Sequence, residues 1–367
     1  MSLVFELGLN KPVPKDNISQ ALHCGKEKYS KPQTPRTMEE RRAVLGCFLI
    51  TSMYVRDIVI LNDTLIASRI SSFLQKIDAL RWTPYMDECL QILNERKECS
   101  NDDILVQQVR LQLILETIAP GTLPDGEVES TEHIRETSFP PLEIHHSQLH
   151  AIKTQLLSQP KIDGRLLCLN QCNSLTHTLA DVVLLHLYST ELDITLSPTF
   201  FPSNHLTFQQ RESLHSGLES INSWFEVFFR IPLAAYIGFP FSIVSQLFRC
   251  ITTLYRLKTL DDRGWDEKSV CKMVDPLHIL DAIIRNLEQA VVVAGLDNSG
   301  DSPDTDVLSR TAQSFRSLRL GWEAKMAPHN LSTIPVQRND NVNFLPEALS
   351  FEFIDNDWLM DLLPPNY

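Results

Sequence analysis

The chain has 367 residues, with 33 Lys and Arg against 46 Asp and Glu, a formal net charge of −13. That length suits roughly two domains and a sizeable core without metals or disulfides, and the acidity excludes a polypeptide built as a whole to neutralise nucleic-acid phosphates. With 43% hydrophobic residues, 22% charged and 12 scattered glycines, the composition points to helices rather than Gly-rich nucleotide loops or turn-dense sheets.

Residues 3–10 (LVFELGLN) read as the last turns of an amphipathic helix with no capping residue ahead of it, so the N-terminus is read as a truncation or gene-model boundary. A loop rich in Pro and Lys follows to residue 36. Residues 1–42 are the most basic stretch, eight Lys/Arg against five acids, yet they carry no stacking platform of aromatics and read as a solvated loop. Thr37 and Glu40 then make a capping box that starts an all-round apolar helix, RRAVLGCFLITSMYV, expected at the centre of a bundle. Ile70, Phe73, Leu74 and Ile77 share one helical face. Trp82-Thr83-Pro84 restarts a helix with Pro84 in the first position and Tyr85, Cys89, Leu90 and Leu93 as its buried stripe. Ser100 and Asp103 begin the next, which runs to Pro120-Gly121.

Residues 121–140 read as a loop, and helices are expected around 143–158, 173–190, 208–230, 241–260 and 267–293. Thr207 and Gln210 make a second capping box, and Pro276 should kink or split the last of these helices. Residues 231–248 carry no charge, but Pro232, Gly238 and Pro240 interrupt them, so a buried helix–turn–helix junction is expected rather than a membrane span. After a polar loop at 297–306, SRTAQSFRSLRLGWEAKM makes one more helix. The fold expected is an all-α, multi-helix bundle at 37–326, preceded by a helix end and loop at 1–36 and followed by a disordered acidic tail at 327–367.

That tail has its own chemistry. After Arg338 there are six acids and no basic residue, interleaved with aromatic and leucine side chains. Acidic neighbours hold such side chains in water until they fold as a short helix into a partner's groove. The candidate partner-binding residues are Phe351, Phe353, Trp358, Leu359, Leu362 and Leu363. The plainer reading is that the tail docks on its own core.

Catalytic patterns are few. Asp261-Asp262-Arg-Gly-Trp-Asp266 resembles the aspartate-rich magnesium site of all-α terpene cyclases, but no second metal motif follows, and a charged helix end is the simpler reading. His177 and Asp181 match an H-x-x-x-D pattern, which two residues at i,i+4 on a helix produce by chance. Cys168, Cys172 and His177 lack a fourth ligand at a zinc spacing, and His145, His146 and His150 lack a carboxylate motif. The eight cysteines are spread through apolar helical patterns as free thiols are, and no basic leader with a long apolar run opens the chain, so a reducing interior compartment is expected. No catalytic residue, cofactor site or metal site is assigned.

Long ordered strings carry a resemblance. LVFELGLN (3–10), RTMEERRAVLGCFLITS (36–52), SSFLQKIDALRWTPYMDECLQIL (71–93), DDILVQQVRLQLI (102–114), SWFEVFFRIPLAAYIGFPF (223–241), YRLKTLDDRGWD (255–266) and LGWEAKM (320–326) resemble, in order, the regulatory region of fungal binuclear-zinc-cluster transcription factors. The subgroup is the one often found regulating secondary-metabolite gene clusters. The resemblance implies an all-α regulatory domain, nuclear location and control of RNA polymerase II transcription. Partners would be coactivators or other transcription proteins, together with dimerisation with a zinc-cluster relative. Members carry an N-terminal C-x2-C-x6-C array holding two zinc ions; none of the eight cysteines here matches it, so zinc is expected only in that missing module and direct DNA binding is not expected of this chain alone. Two alternatives stand beside this reading: a DNA-binding-deficient modulator that titrates a full-length relative and, remotely, an all-α metal-dependent enzyme.

Overall fold

The computed structural model describes residues 11, 36–62, 80–99, 101–118, 142–158, 170–196, 206–260, 262, 264–265, 267–295 and 307–326. All regular structure among them is helical: α1 (Met38–Asn62), α2 (Pro84–Arg96), α3 (Asp102–Ile118), α4 (Leu142–Ser158), α5 (Asn170–Leu196), α6 (Phe208–Arg230), a 3-10 turn (Leu233–Gly238), α7 (Phe241–Lys258), α8 (Glu267–Met273), α9 (Pro276–Val293) and α10 (Val307–Met326). The chain divides into two compact units, one of residues 1–55 with 77–113, the other of residues 56–76 with 114–367.

In the first unit the start of α1 is fixed by side chains reaching back to the backbone. Thr37 Oγ1 accepts from the Glu40 N–H at 3.2 Å, and the Thr37 N–H donates to Glu40 Oε2 at 2.9 Å, so two donors that the helix leaves orphaned are both used. From there α1 buries Val44, Leu45 and Phe48, which pack with Met86, Cys89 and Leu93 of α2 and Val106 and Val109 of α3. Phe48 meets Trp82 edge to face with ring centroids 4.7 Å apart. Proline at the first position of α2 lacks the N–H that would go unpaired there, and Asp87 places negative charge in the first turn. Leu90 is only partly buried, and Met86, outside the expected stripe, is fully buried.

The second unit is organised on α5, whose residues from Val183 to Leu196 are buried or half-buried throughout. Its helix runs six residues beyond the expected end at 190, because Ser189, Thr190, Asp193 and Thr195 read as a polar boundary but are buried. Thr190 and Thr195 turn their hydroxyls onto carbonyls of the preceding turn, which removes the cost of burying them. Gly217 of α6 lets that helix approach closely, since a β-carbon there would stand 3.2 Å from Leu196 Cδ2. The second capping box forms at Thr207 and Gln210.

The uncharged segment 231–248 is a helix–turn–helix junction, as expected: α6 ends at Arg230, the 3-10 turn follows, and α7 starts after Pro240. An aromatic run holds the junction, with Trp224 stacked on Phe228 at 5.0 Å and Phe228 next to Tyr236 at 5.4 Å. Pro276 splits the expected helix at 267–293 into α8 and α9. Helices α9 and α10 lie antiparallel, tied by Arg316 to Glu288 and by Arg319 to Asp281. No helix among the described residues is long and apolar enough to cross a membrane.

Candidate functional site

The six tail residues Phe351, Phe353, Trp358, Leu359, Leu362 and Leu363 lie outside the described residues, as do the opening helix at 3–10 and the face formed by Ile70, Phe73, Leu74 and Ile77. Of the aspartate-rich motif, Asp261 and Asp266 also lie outside them. Asp262 is engaged in building its loop, accepting from the Leu206 N–H at 3.1 Å and the Gly264 N–H at 2.8 Å. The adjacent Trp265 anchors the same loop, donating its indole N–H to the Leu257 carbonyl at 2.7 Å.

The remaining sequence candidates are dispersed. Asp181 pairs with Arg230, 49 residues away, and the side chain of His177 is outside the described set. Cys168 is outside the described residues and Cys172 lies on α5 with its side chain outside the described set. On α4, His145 is buried while His150 is exposed. Among the described residues no three His, Cys, Asp or Glu side chains gather as a metal would require. Burial pushes the Cys250 thiol up to about 12, so it stays protonated and unreactive.

What the structure does assemble is a buried polar seam in the second unit. His186, Thr190 and Asp193 follow one another at i, i+4 and i+7 on one face of α5. The Asp193 carboxylate, 4% exposed, is clamped by two guanidiniums, Arg249 of α7 and Arg56 at the end of α1. A carboxylate so far from water holds its charge only with such partners. Above it, Gln246 of α7 joins two helices: its Oε1 accepts from Trp224 Nε1 at 3.2 Å, and its Nε2 faces His186 Nδ1 at 3.3 Å. Burial, reinforced by the positive charge of Arg56, pushes the His186 imidazole down to about 3. A base that weak takes no proton at neutral pH, so the seam is not a general-base device; it fixes three helices in one arrangement.

Sequence reasoning missed this seam. The available signal was a histidine and an aspartate seven residues apart on a helix whose neighbouring positions include Val183, Leu185, Leu187 and Leu192.

A second charged cluster stands in the first unit. Arg42 grips Asp102 through two nitrogens, Nε at 2.7 Å and Nη2 at 3.0 Å, and the Cys99 N–H donates to the same carboxylate at 2.9 Å. The guanidinium holds the Asp102 carboxyl below its ordinary range and is itself raised in return.

Comparison with known proteins adds to this geometry. The family model ATEG07667_C, described as a C-terminal domain, matches residues 233–366. A protein named Transcription factor opdL, from Penicillium oxalicum, is 30% identical over 355 residues, which are 94% of this chain and 56% of that protein. A protein named Transcription factor, from Aspergillus terreus, is 30% identical over 219 residues, 60% of this chain and 37% of that protein. The chain thus spans about half or less of the length of these curated relatives. No solved structure matches it.

Proposed function

The chain is a homologue of fungal proteins named transcription factors, and on that premise we propose that it is the helical regulatory and activation part of a regulator of RNA polymerase II transcription, acting in the nucleus through protein contacts. The observation that carries this reading is the 30% identity to a named transcription factor over 94% of the chain. The all-α body and the acidic, aromatic-studded tail support it. In this reading the body presents the tail, and Phe351, Phe353, Trp358, Leu359, Leu362 and Leu363 enter the groove of a coactivator. Regulation of a secondary-metabolite gene cluster is the narrower form of the same proposal. In this reading zinc would belong to a separate N-terminal module of the family rather than to this chain.

The test is to fuse the full chain to a heterologous DNA-binding domain in a fungal reporter strain. Output well above that of the DNA-binding domain alone supports the reading, and output no higher removes it. The −13 charge favours one second reading, a modulator that binds a full-length relative without touching DNA. Purification from nuclear extract separates the two: a modulator brings down a zinc-cluster partner and leaves the reporter silent.

A further inference from the structure

The indole N–H of Trp224 can only donate, so the atom of Gln246 facing it at 3.2 Å must be the amide oxygen. That fixes the other end of the amide: its NH2 points at His186 Nδ1, 3.3 Å away. An NH2 can only donate, so Nδ1 must accept, and the ring carries its one proton on Nε2. This Nε2–H lies in the protein interior, on a residue 95% buried, with no hydrogen-bond partner among the described residues. A buried donor left without an acceptor forfeits its hydration with nothing in return, and folded proteins almost always meet such groups. Arg56, whose charge acts on the ring, favours an acceptor with negative or strongly polarised oxygen.

We propose that the interior of the second unit holds an oxygen acceptor at His186 Nε2, either an internal water or the carbonyl or carboxylate oxygen of a small molecule. The three-helix relay Trp224–Gln246–His186 is the built part of this site, since each member sets the donor or acceptor role of the next. The inference stands on the seam alone and does not depend on the transcriptional reading.

The experiment uses the full chain with 15N-labelled histidine and long-range 1H–15N correlation. The expected result is a neutral, Nε2-protonated His186 that does not titrate from pH 5 to 8, with its signal lost in His186→Gln. Should that variant not fold, Gln246→Leu shifts the same signal by removing the Nδ1 partner. A cross-peak from the Nε2 proton to water identifies water as the acceptor. Native mass spectrometry of the chain purified from a fungal host, showing added mass that is released on denaturation and absent from His186→Gln or Gln246→Leu protein, identifies a small molecule. A ring protonated on Nδ1, one that titrates in this range, or an Nε2 proton with neither a water cross-peak nor bound mass overturns the proposal.

Discussion

Asp102 and Asp193 are both carboxylates sealed from water against arginines, one in each unit, yet they sit at opposite ends of their helices. Asp102 opens α3, where the exposed N–H groups and helix dipole welcome a negative charge, and it has the Cys99 N–H besides Arg42. Asp193 falls in the last turn of α5, where the dipole opposes it, and two guanidiniums hold it there. The same chemical group therefore needs one arginine in the first unit and two in the second. The lesson is that position along a helix decides how much pairing a buried charge requires.

This contrast predicts unequal costs. Asp193→Asn, which leaves two guanidiniums facing an uncharged amide in the interior, should destabilise the second unit by about 3–5 kcal/mol. Urea unfolding followed by hydrogen exchange resolved by peptide would read it in α5 and α7. Asp102→Asn, at a helix end that keeps its backbone hydrogen bonds, should cost the first unit about 1.5–3 kcal/mol by the same measurement. Equal losses, or a larger loss at Asp102, would break the comparison.

Acid should separate the units as well. An unfolded chain protonates His186 near 6.5, whereas the folded ring, pushed down to about 3, stays neutral. Between those values the unfolded state binds more protons, so the second unit loses stability as pH falls below 6.5, at up to about 1.4 kcal/mol per pH unit. Asp102 acts later: its stabilising pair is present above the unfolded value of 3.8 and is lost as pH falls through its lower folded value. Amide protection factors, corrected for the intrinsic exchange rate at each pH, should therefore fall first in α5–α7 between pH 7, 5 and 4. A first unit that loosens earlier would contradict this assignment.

The smallest effects concern the caps. Thr37→Ala should cost about 1 kcal/mol, because its hydroxyl oxygen accepts from a backbone N–H. Thr83→Ala, at an N-cap whose side chain makes no capping hydrogen bond, should be near neutral in thermal melts. If the two variants melted alike, the capping-box explanation for the start of α1 would fail.

Local rules were legible in the residues themselves. Thr37-Met-Glu-Glu, Thr207-Phe-Gln-Gln, Pro84 and Pro276 each act within four residues, and the helices begin or split where these stand. The C-terminal part of α5 was not legible, because Ser189, Thr190 and Asp193 look like an exposed end until Arg56 and Arg249 arrive from 137 and 56 residues away. Gln246 likewise reads as an ordinary polar residue until Trp224 and His186 give it two neighbours. Asp262 and Asp181 show the converse: residues that matched catalytic patterns turn out to tie a loop and pair with a distant arginine. Of the candidate partner-binding segment, its composition was the legible part.

The proposed function has the chain act by contact with transcription proteins through its acidic and aromatic tail. The most direct measurement compares reporter output from the full chain fused to a heterologous DNA-binding domain with that from the same fusion carrying Phe353→Ala and Trp358→Ala. The account predicts strong activation that falls roughly tenfold in the double variant, as expected when two anchor side chains worth about 1.4 kcal/mol together are lost, with unchanged protein level and melting temperature. Output that is unaffected by the two substitutions would contradict it.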